Sequence, residues 1–357
     1  MEYLFKKFSH GGPTFQVSKL ISKPIEEIID LSSSVNPLNF FLPFLPDRKK
    51  LSFLLNKYPD PEVYELRQTI SEVYQVPWEC ILCGNGSMEL IYLTLRSFSW
   101  SSVLIWEPTF IEYYKGCKIF GIYQVERIFS LEKEEGLEKL KQALSKNFNL
   151  QAVFICNPNN PTGWLISKKS LLDLIETFPS VIFLIDEAFI DFALEESLLR
   201  EASFYSNLIV FRSLTKFFGL AGIRLGYMVA HKKIIEKLKL YQEPWSVNSL
   251  AQYLGNLLVK NTNFIQRTLN FFKREKLYVE NFFKKWKINY FPSVANFYLF
   301  ILERGAEFTD YLLRKGILIR NCYNFYGLNE NFLRVSVKRR GENRKFLEEL
   351  KKWLEDF

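Results

Sequence analysis

The sequence predicts an open α/β sheet joined to a smaller α+β domain at its C-terminal end, and three observations carry that prediction. First, short apolar runs alternate with helical patterns through the middle of the chain: "SVLIWEP" (Ser102–Pro108), "AVFICNP" (Ala152–Pro158), "VIFLIDEA" (Val181–Ala188), "LIVFRS" (Leu208–Ser213) and "GYMVA" (Gly226–Ala230). Runs this apolar suit strands buried on both faces, and intervening helices such as Ser167–Thr177 argue for an open sheet. Second, most residues with chemistry to offer stand at the ends of these runs. Ligands of open α/β sheets bind beyond the carboxyl ends of the strands. Third, the pattern changes towards the C-terminus. Long helical stretches, Ser249–Phe283, lead into "ANFYLFIL" (Ala295–Leu302), a helix near Phe308–Lys315, "GILIR" (Gly316–Arg320), "FLRVSV" (Phe332–Val337) and a terminal helix from Glu342. The expected division is 1–40 for an N-terminal segment packing on the small domain and the active site, 41–245 for the large domain and 246–357 for the small one.

Bulk composition agrees with this size and narrows the function. A chain of 357 residues is too long for one small core. Apolar residues make up 48% and charged residues 24%, ordinary values for a globular protein, and the 34 Phe carry no functional weight. The formal charge of +8 suits nucleic acid, an anionic membrane or a phosphorylated substrate. The basic residues are scattered, and stretches such as Lys273–Lys287 read as solvated faces of amphipathic helices. No helix-turn-helix pattern precedes residue 30, so no nucleic-acid partner is expected. Cys80 and Cys83 form a C-x-x-C in what reads as a short strand, without a second pair, and only His10 and His231 are available as imidazole ligands. No metal site is therefore expected, and the five cysteines read as reduced thiols. The opening residues lack a signal-peptide pattern, and no run of apolar residues is long enough to span a bilayer. A cytoplasmic protein without a membrane partner is expected.

Five segments carry chemistry. "SLTKFFGLAGIRLGY" (Ser213–Tyr227) follows a buried strand. Desolvation there can discharge Lys216 and make its amine nucleophilic towards an aldehyde, while Ser213, Thr215 and Arg224 offer partners for a phosphate. Asp186 ends the run "VIFLI", where an acidic group is costly without a positive partner; a protonated pyridine nitrogen is such a partner. "CNPNNPTG" (Cys156–Gly163) is rich in turn residues, and its Asn160 amide can reach a phenolic oxygen. In "CGNGSMEL" (Cys83–Leu90) a strand leads into a helix whose N-terminus, with Gly84 and Gly86, suits an anion. Phe110 in "WEPTF" is placed to stack on an aromatic ring.

In this order, these segments resemble the fold-type-I pyridoxal-phosphate enzymes, and within them the histidinol-phosphate aminotransferase branch. The resemblance runs from His10 to the last helix. It implies an aspartate-aminotransferase-like fold, with a large domain built on a mostly parallel seven-stranded sheet and a small α+β C-terminal domain. It implies that Lys216 carries pyridoxal 5'-phosphate as a Schiff base and later moves a proton. Asp186 would pair with the pyridine nitrogen, Asn160 would contact the ring oxygen, and Phe110 would stack on the ring. Gly86, Ser87, Ser213, Thr215 and Arg224 would form the phosphate cup. Tyr58 in "KYPDP" resembles a tyrosine that reaches the phosphate of the neighbouring subunit, which implies a homodimer. Arg334 resembles the arginine that binds the substrate carboxylate. One departure stands out: Phe189 occupies a position where the family often has Tyr, leaving Asn160 as the main donor to the ring oxygen.

Within the branch, "HGG" (His10–Gly12), "LSSSVNPL" (Leu31–Leu38), "EPWSVNSLAQ" (Glu243–Gln252) and "GILIRNCYNFYGL" (Gly316–Leu328) resemble the L-threonine O-3-phosphate decarboxylases. That resemblance implies decarboxylation of O-phospho-L-threonine to (R)-1-aminopropan-2-yl phosphate, in cobalamin biosynthesis. His10, Gly11, Ser34, Asn160, Arg320 and Arg334 are the candidates for the phosphorylated amino-acid substrate. Ser34 stands where the decarboxylase pattern has Asn. The alternative is histidinol-phosphate transamination with 2-oxoglutarate. The two differ in which Cα bond is held perpendicular to the pyridine ring, and substrate-anchoring groups set that rotation.

Overall fold

The computed structural model describes residues 3–147 and 149–356. Its strands are β1 Ile29–Asp30, β2 Ile81–Asn85, β3 Ser102–Glu107, β4 Gln124–Phe129, β5 Ala152–Cys156, β6 Ile182–Asp186, β7 Leu208–Ser213, β8 Leu225–Ala230, β9 Asn289–Tyr290, β10 Phe297–Ile301, β11 Ile317–Leu318, β12 Arg320–Asn321 and β13 Phe332–Ser336. The large sheet has seven strands in the order β2-β8-β7-β6-β5-β3-β4. Strands β3 to β7 pair in parallel, and β8 is antiparallel to both of its neighbours, β2 and β7. Every residue of β3, β5, β7 and β8 is buried, because helices cover both faces. This is why the sequence reads as unbroken apolar runs there.

The reversal of β8 has a functional effect. Six strands end at one edge of the sheet, and β8 begins at that edge. Arg224, which precedes β8, is thereby brought beside residues that follow the other strands.

The small domain holds an antiparallel sheet in the order β12-β13-β10-β9. Phe272, Phe283, Tyr298, Phe300, Phe308, Leu333 and Phe346 fill its core, together with Leu31 from the N-terminal segment. Strand β1 pairs in parallel with β11, and Phe5 and Val17 bury against Ala306, Leu313 and Leu318.

Two elements differ from the sequence expectation, β4 and "GILIR", and the helical region after residue 249 is made definite. Strand β4 had no apolar signature because it is a sheet edge, with Gln124 and Glu126 exposed. The stretch 249–283 is two helices, Ser249–Val259 and Thr262–Lys285, since Asn261 caps the second by accepting a hydrogen bond from Phe264 N at 2.8 Å. The first of these helices packs in the core of the large sheet through Ala251, Leu254 and Leu258, and the second passes from that core at Phe264 to the small-domain core at Phe272. "GILIR" splits into β11 and β12, which join different sheets.

Two strand ends are tied together beneath the edge. Arg212 on β7 is fully buried, donates to Asp191 Oδ1 at 2.6 Å and lies 3.7 Å from Glu187. Glu187 follows Asp186, and Arg212 precedes Ser213, so this ion pair fixes the separation of the two. Burial raises the pKa of Glu187 to about 7, and Arg212 is the leading counterweight. Removing one partner of a buried pair strands the other charge. Asp191→Ala is expected to lower the free energy of unfolding by about 3–5 kcal/mol, read from denaturant midpoints. A loss under about 1 kcal/mol would show that the pair is structurally dispensable.

Candidate active site

At the carboxyl edge of the sheet, between the two domains, lies a cavity of about 520 Å³. Its lining includes Ser87, Phe110, Asn160, Asp186, Ser213, Thr215, Lys216 and Arg224 from the large domain. His10, Gly11 and Ser34 reach it from the N-terminal segment, and Arg320 and Arg334 from the small domain. Residues spread over more than three hundred positions of the sequence thus converge on one space. Gly86 lies behind this lining. Its φ of +78° is left-handed, and a Cβ there would come within 2.7 Å of Arg224 Nη2, so glycine is required for the guanidinium to approach the loop. Ser87 then opens a twelve-residue helix, Ser87–Phe98, and a helix N-terminus suits an anion. Tyr58 is the exception. It is 82% exposed and packs on Trp245 at 4.9 Å between ring centroids, outside the cavity of its own chain.

Lys216 is mostly buried, and its pKa is lowered to about 8. Desolvation is the main cause, and the cations Arg334, Arg224 and Lys338 add to it. Asp186 is also buried, and desolvation raises its pKa. Two donors oppose that rise: the Tyr113 hydroxyl donates to Oδ2 at 2.5 Å, and Ala188 N donates to Oδ1 at 3.0 Å. Tyr113 is itself stacked on Phe154, with centroids 4.7 Å apart and planes at 6°.

The "CNPNNPTG" turn divides its asparagines by task. Asn157 donates to Ile166 O and accepts from Ile166 N, and Asn159 donates to Pro108 O and Thr162 Oγ1. Both shape the turn. Asn160 faces the cavity, and its Oδ1 accepts from Arg334 Nη1. Because a guanidinium only donates, the amide oxygen must point to it, leaving Nδ2 as the donor for a ligand. Phe189 offers no hydroxyl; it packs edge-on against Phe297 at 5.0 Å.

The N-terminal residues are fastened by an Asx turn. Asp30 Oδ1 accepts from Ser32 N at 2.9 Å and Ser32 Oγ at 2.6 Å, and Ser32 Oγ accepts from Gly12 N at 2.8 Å. Gly11 lies flat on this turn, and a Cβ there would be 2.3 Å from Ser32 O. This accounts for Gly11, and the left-handed φ of +85° accounts for Gly12. Ser34 lines the cavity, with its hydroxyl 2.9 Å from that of Ser336.

Several lining residues were not singled out from the sequence. Glu112, Tyr113 and Lys115 directly follow "WEPTF", but nothing in a chain with 18 Tyr and 47 Lys and Arg marked them. Ser32, Ser33 and Phe325 sat inside recognised segments without being named. Among the described residues, no group of three or more His, Cys, Asp or Glu is placed to hold a metal ion, and no helix is long and apolar enough to cross a membrane.

Comparison with known proteins gives a consistent family. Residues 27–350 match the model of aminotransferase class I and II. A relative in Caldanaerobacter subterraneus subsp. tengcongensis, whose name proposes it as a threonine-phosphate decarboxylase, is 37% identical over 83% of each chain. The histidinol-phosphate aminotransferase of Methanococcus aeolicus is 30% identical, covering 97% of this chain and 95% of its own. The crystal structure of histidinol-phosphate aminotransferase from Clostridium acetobutylicum superposes with a TM-score of 0.83 at 32% identity, covering 92% of this chain and 99% of that one. The cavity suits the cofactor that the sequence resemblance implies. A buried carboxylate at Asp186 matches a protonated ring nitrogen, an amine of lowered pKa at Lys216 matches an aldehyde, and the glycine-backed Arg224 with Ser87, Ser213 and Thr215 matches a phosphate. The chain belongs to the aminotransferase class I and II family, and its cofactor is pyridoxal 5'-phosphate.

Proposed function

We propose that the protein decarboxylates O-phospho-L-threonine to (R)-1-aminopropan-2-yl phosphate. The observation that carries this reading is a pair of buried arginines. Arg320 on β12 and Arg334 on β13 are direct cross-strand partners, and both line the cavity. Arg334 donates to Asn160 Oδ1 and, at 2.7 Å, to Ser32 O. Its Nε has no partner. Arg320 donates to Ser9 O at 2.7 Å and Asn324 Oδ1 at 2.6 Å. All these acceptors are neutral, and among the described residues neither arginine forms an ion pair. Burial lowers the pKa of both, Arg334 to about 10. Like charges directly opposite in a sheet repel, so the arrangement favours a ligand that brings two anionic groups. O-phosphothreonine carries a carboxylate and a phosphate on one molecule. Histidinol phosphate carries the phosphate alone, but the 2-oxoglutarate of the alternative reaction carries two carboxylates, so the arginine pair favours a dianion and the assay without keto acid separates the two reactions.

Bound pyridoxal phosphate draws off the electron pair of the Cα bond that lies perpendicular to its ring. The protein decides which bond that is. Arg334, with Asn160, takes the substrate carboxylate, and Arg320, with His10 and Gly11, takes the phosphate. Anchoring at both ends fixes the rotation about the Cα–N bond. The carboxylate leaves as carbon dioxide, and Lys216 Nζ supplies the proton that replaces it at Cα.

The family relationship alone does not choose between this reaction and histidinol-phosphate transamination, since relatives of both names lie at similar distance. A second copy of the chain fits the same reading. Leu42, Leu45, Phe53, Leu55 and Tyr58 are all exposed on one stretch of sequence, an apolar surface suited to a homodimer in which Tyr58 serves the partner's cavity. The five cysteines are buried and unpaired, which suits a reducing cytoplasm.

Two outcomes are expected. Purified holoenzyme mixed with O-phospho-L-threonine should release carbon dioxide without any added keto acid. No release, together with 2-oxoglutarate-dependent consumption of histidinol phosphate, would replace this reading with transamination. The amine of Lys216 is charged below about pH 8 and neutral above it. Carbon–nitrogen bond formation between pyridoxal phosphate and the cofactor-free protein should therefore accelerate as pH rises through about 8 and level off above it, followed by absorbance with Lys216→Ala as the control. A midpoint near the ordinary lysine value would contradict the desolvation argument.

A further inference from the structure

We propose that Glu112 is a positioning residue that orients His10 towards the substrate's phosphate. The inference deepens the reading above and takes from it only that His10 meets a phosphate. Glu112 opens the helix Glu112–Ile119 of the large domain. Its Oε2 accepts from the Tyr92 hydroxyl at 2.6 Å, and its Oε1 lies 3.4 Å from Lys115 Nζ and 3.0 Å from His10 Nε2. His10 belongs to a segment held on the other side of the cavity, where Arg320 grips Ser9 O. The His10–Glu112 contact therefore joins the N-terminal segment to the large domain's lining, as the bond from Asn36 N to Lys216 O at 2.9 Å does elsewhere.

A carboxylate at the rim of an anion-binding cavity repels the ligand unless it does something else. Here it acts on the imidazole. The groups facing His10 are Glu112, Arg320 and Lys115, with the Phe110 ring 6.2 Å away. Burial lowers the pKa of His10 most, Arg320 and Lys115 push the same way, and Glu112 is the one group that favours the charged ring. The hydrogen bond at one ring nitrogen fixes the role of the other. With Nε2–H given to Glu112, Nδ1 carries a hydrogen only when the ring is protonated; Glu112 and an arriving phosphate are the two anions that favour that cation, whose Nδ1–H then meets a phosphate oxygen. Tyr92 and Lys115 in turn hold the carboxylate, so the imidazole is set from a rigid helix and not from the terminal segment itself.

The test uses inorganic phosphate as the probe on holoenzyme, with wild type, Glu112→Gln, His10→Asn and the double variant compared by calorimetry. Glu112→Gln should weaken phosphate binding roughly tenfold, about the loss of one hydrogen bond to a charged group, and leave L-threonine binding unchanged. The double variant should bind phosphate no more weakly than His10→Asn alone, because Glu112 acts through His10. Tighter phosphate binding by Glu112→Gln would mean that the carboxylate merely repels, and multiplicative losses in the double variant would mean that it acts independently; either overturns the proposal. Phosphate binding needs no turnover, and O-phosphothreonine and histidinol phosphate both carry the group. The result therefore reads Glu112 whichever reaction the enzyme catalyses.

Discussion

Two guanidinium charges buried side by side without counter-ions are the constraint on which the substrate half of this cavity depends. The penalty for burying an ion is several kcal/mol even after relaxation, and Arg320 and Arg334 share it across adjacent strands. The surrounding structure is arranged to tolerate them. The backbone carbonyls of Ser32, Phe8 and Ser9 point at the two guanidiniums, which is why the N-terminal segment crosses the cavity instead of lying elsewhere on the small domain. Phe297 and Phe325 present ring faces to Arg334 and Arg320 at 5.1 and 5.4 Å. Neutral partners stabilise a cation without discharging it. The charges stay available for a ligand.

The cofactor half follows a different logic, in which opposite effects of burial are used on two neighbouring strands. Desolvation favours the neutral amine at Lys216, making it a nucleophile. At Asp186 the same desolvation would favour the neutral acid, and the hydrogen bonds from Tyr113 and Ala188 act against it. The buried ion pair between Arg212 and Asp191, with Glu187 close by, keeps these two strand ends in register. In the proposed reading the strand ends of the large sheet carry the chemistry, while the N-terminal segment and the small-domain strands β12 and β13 carry the choice of substrate.

This division explains what was legible in the sequence. Lys216, Asp186, Asn160 and Arg224 follow or precede strands buried on both faces, so apolar runs pointed straight at them. The fold was legible for the same reason, except where burial is partial: β4 at the sheet edge left no apolar signature, and the break at Asn261 was hidden by helical pattern on both sides. Arg320 and Arg334 were marked by resemblance alone, because no local pattern announces that two short strands will set them face to face. Glu112 and Tyr113 were invisible for a third reason. They act on other side chains, His10 and Asp186, that lie far away in sequence.

The central claim is that the two arginines await two anionic groups on one molecule. It is tested most directly by comparing dissociation constants of the holoenzyme for O-phospho-L-threonine, for L-threonine and for phosphoethanolamine, which lack the phosphate and the carboxylate respectively. Each charge-assisted contact is worth about 1.5–3 kcal/mol, or ~10- to 150-fold in affinity. O-phosphothreonine should therefore bind tighter than either mono-anion by that factor, and Arg334→Gln should remove its advantage over phosphoethanolamine while leaving its advantage over L-threonine. Equal binding of phosphoethanolamine and O-phosphothreonine to the unaltered enzyme would contradict the account, for it would leave Arg334 without the carboxylate that its buried charge requires.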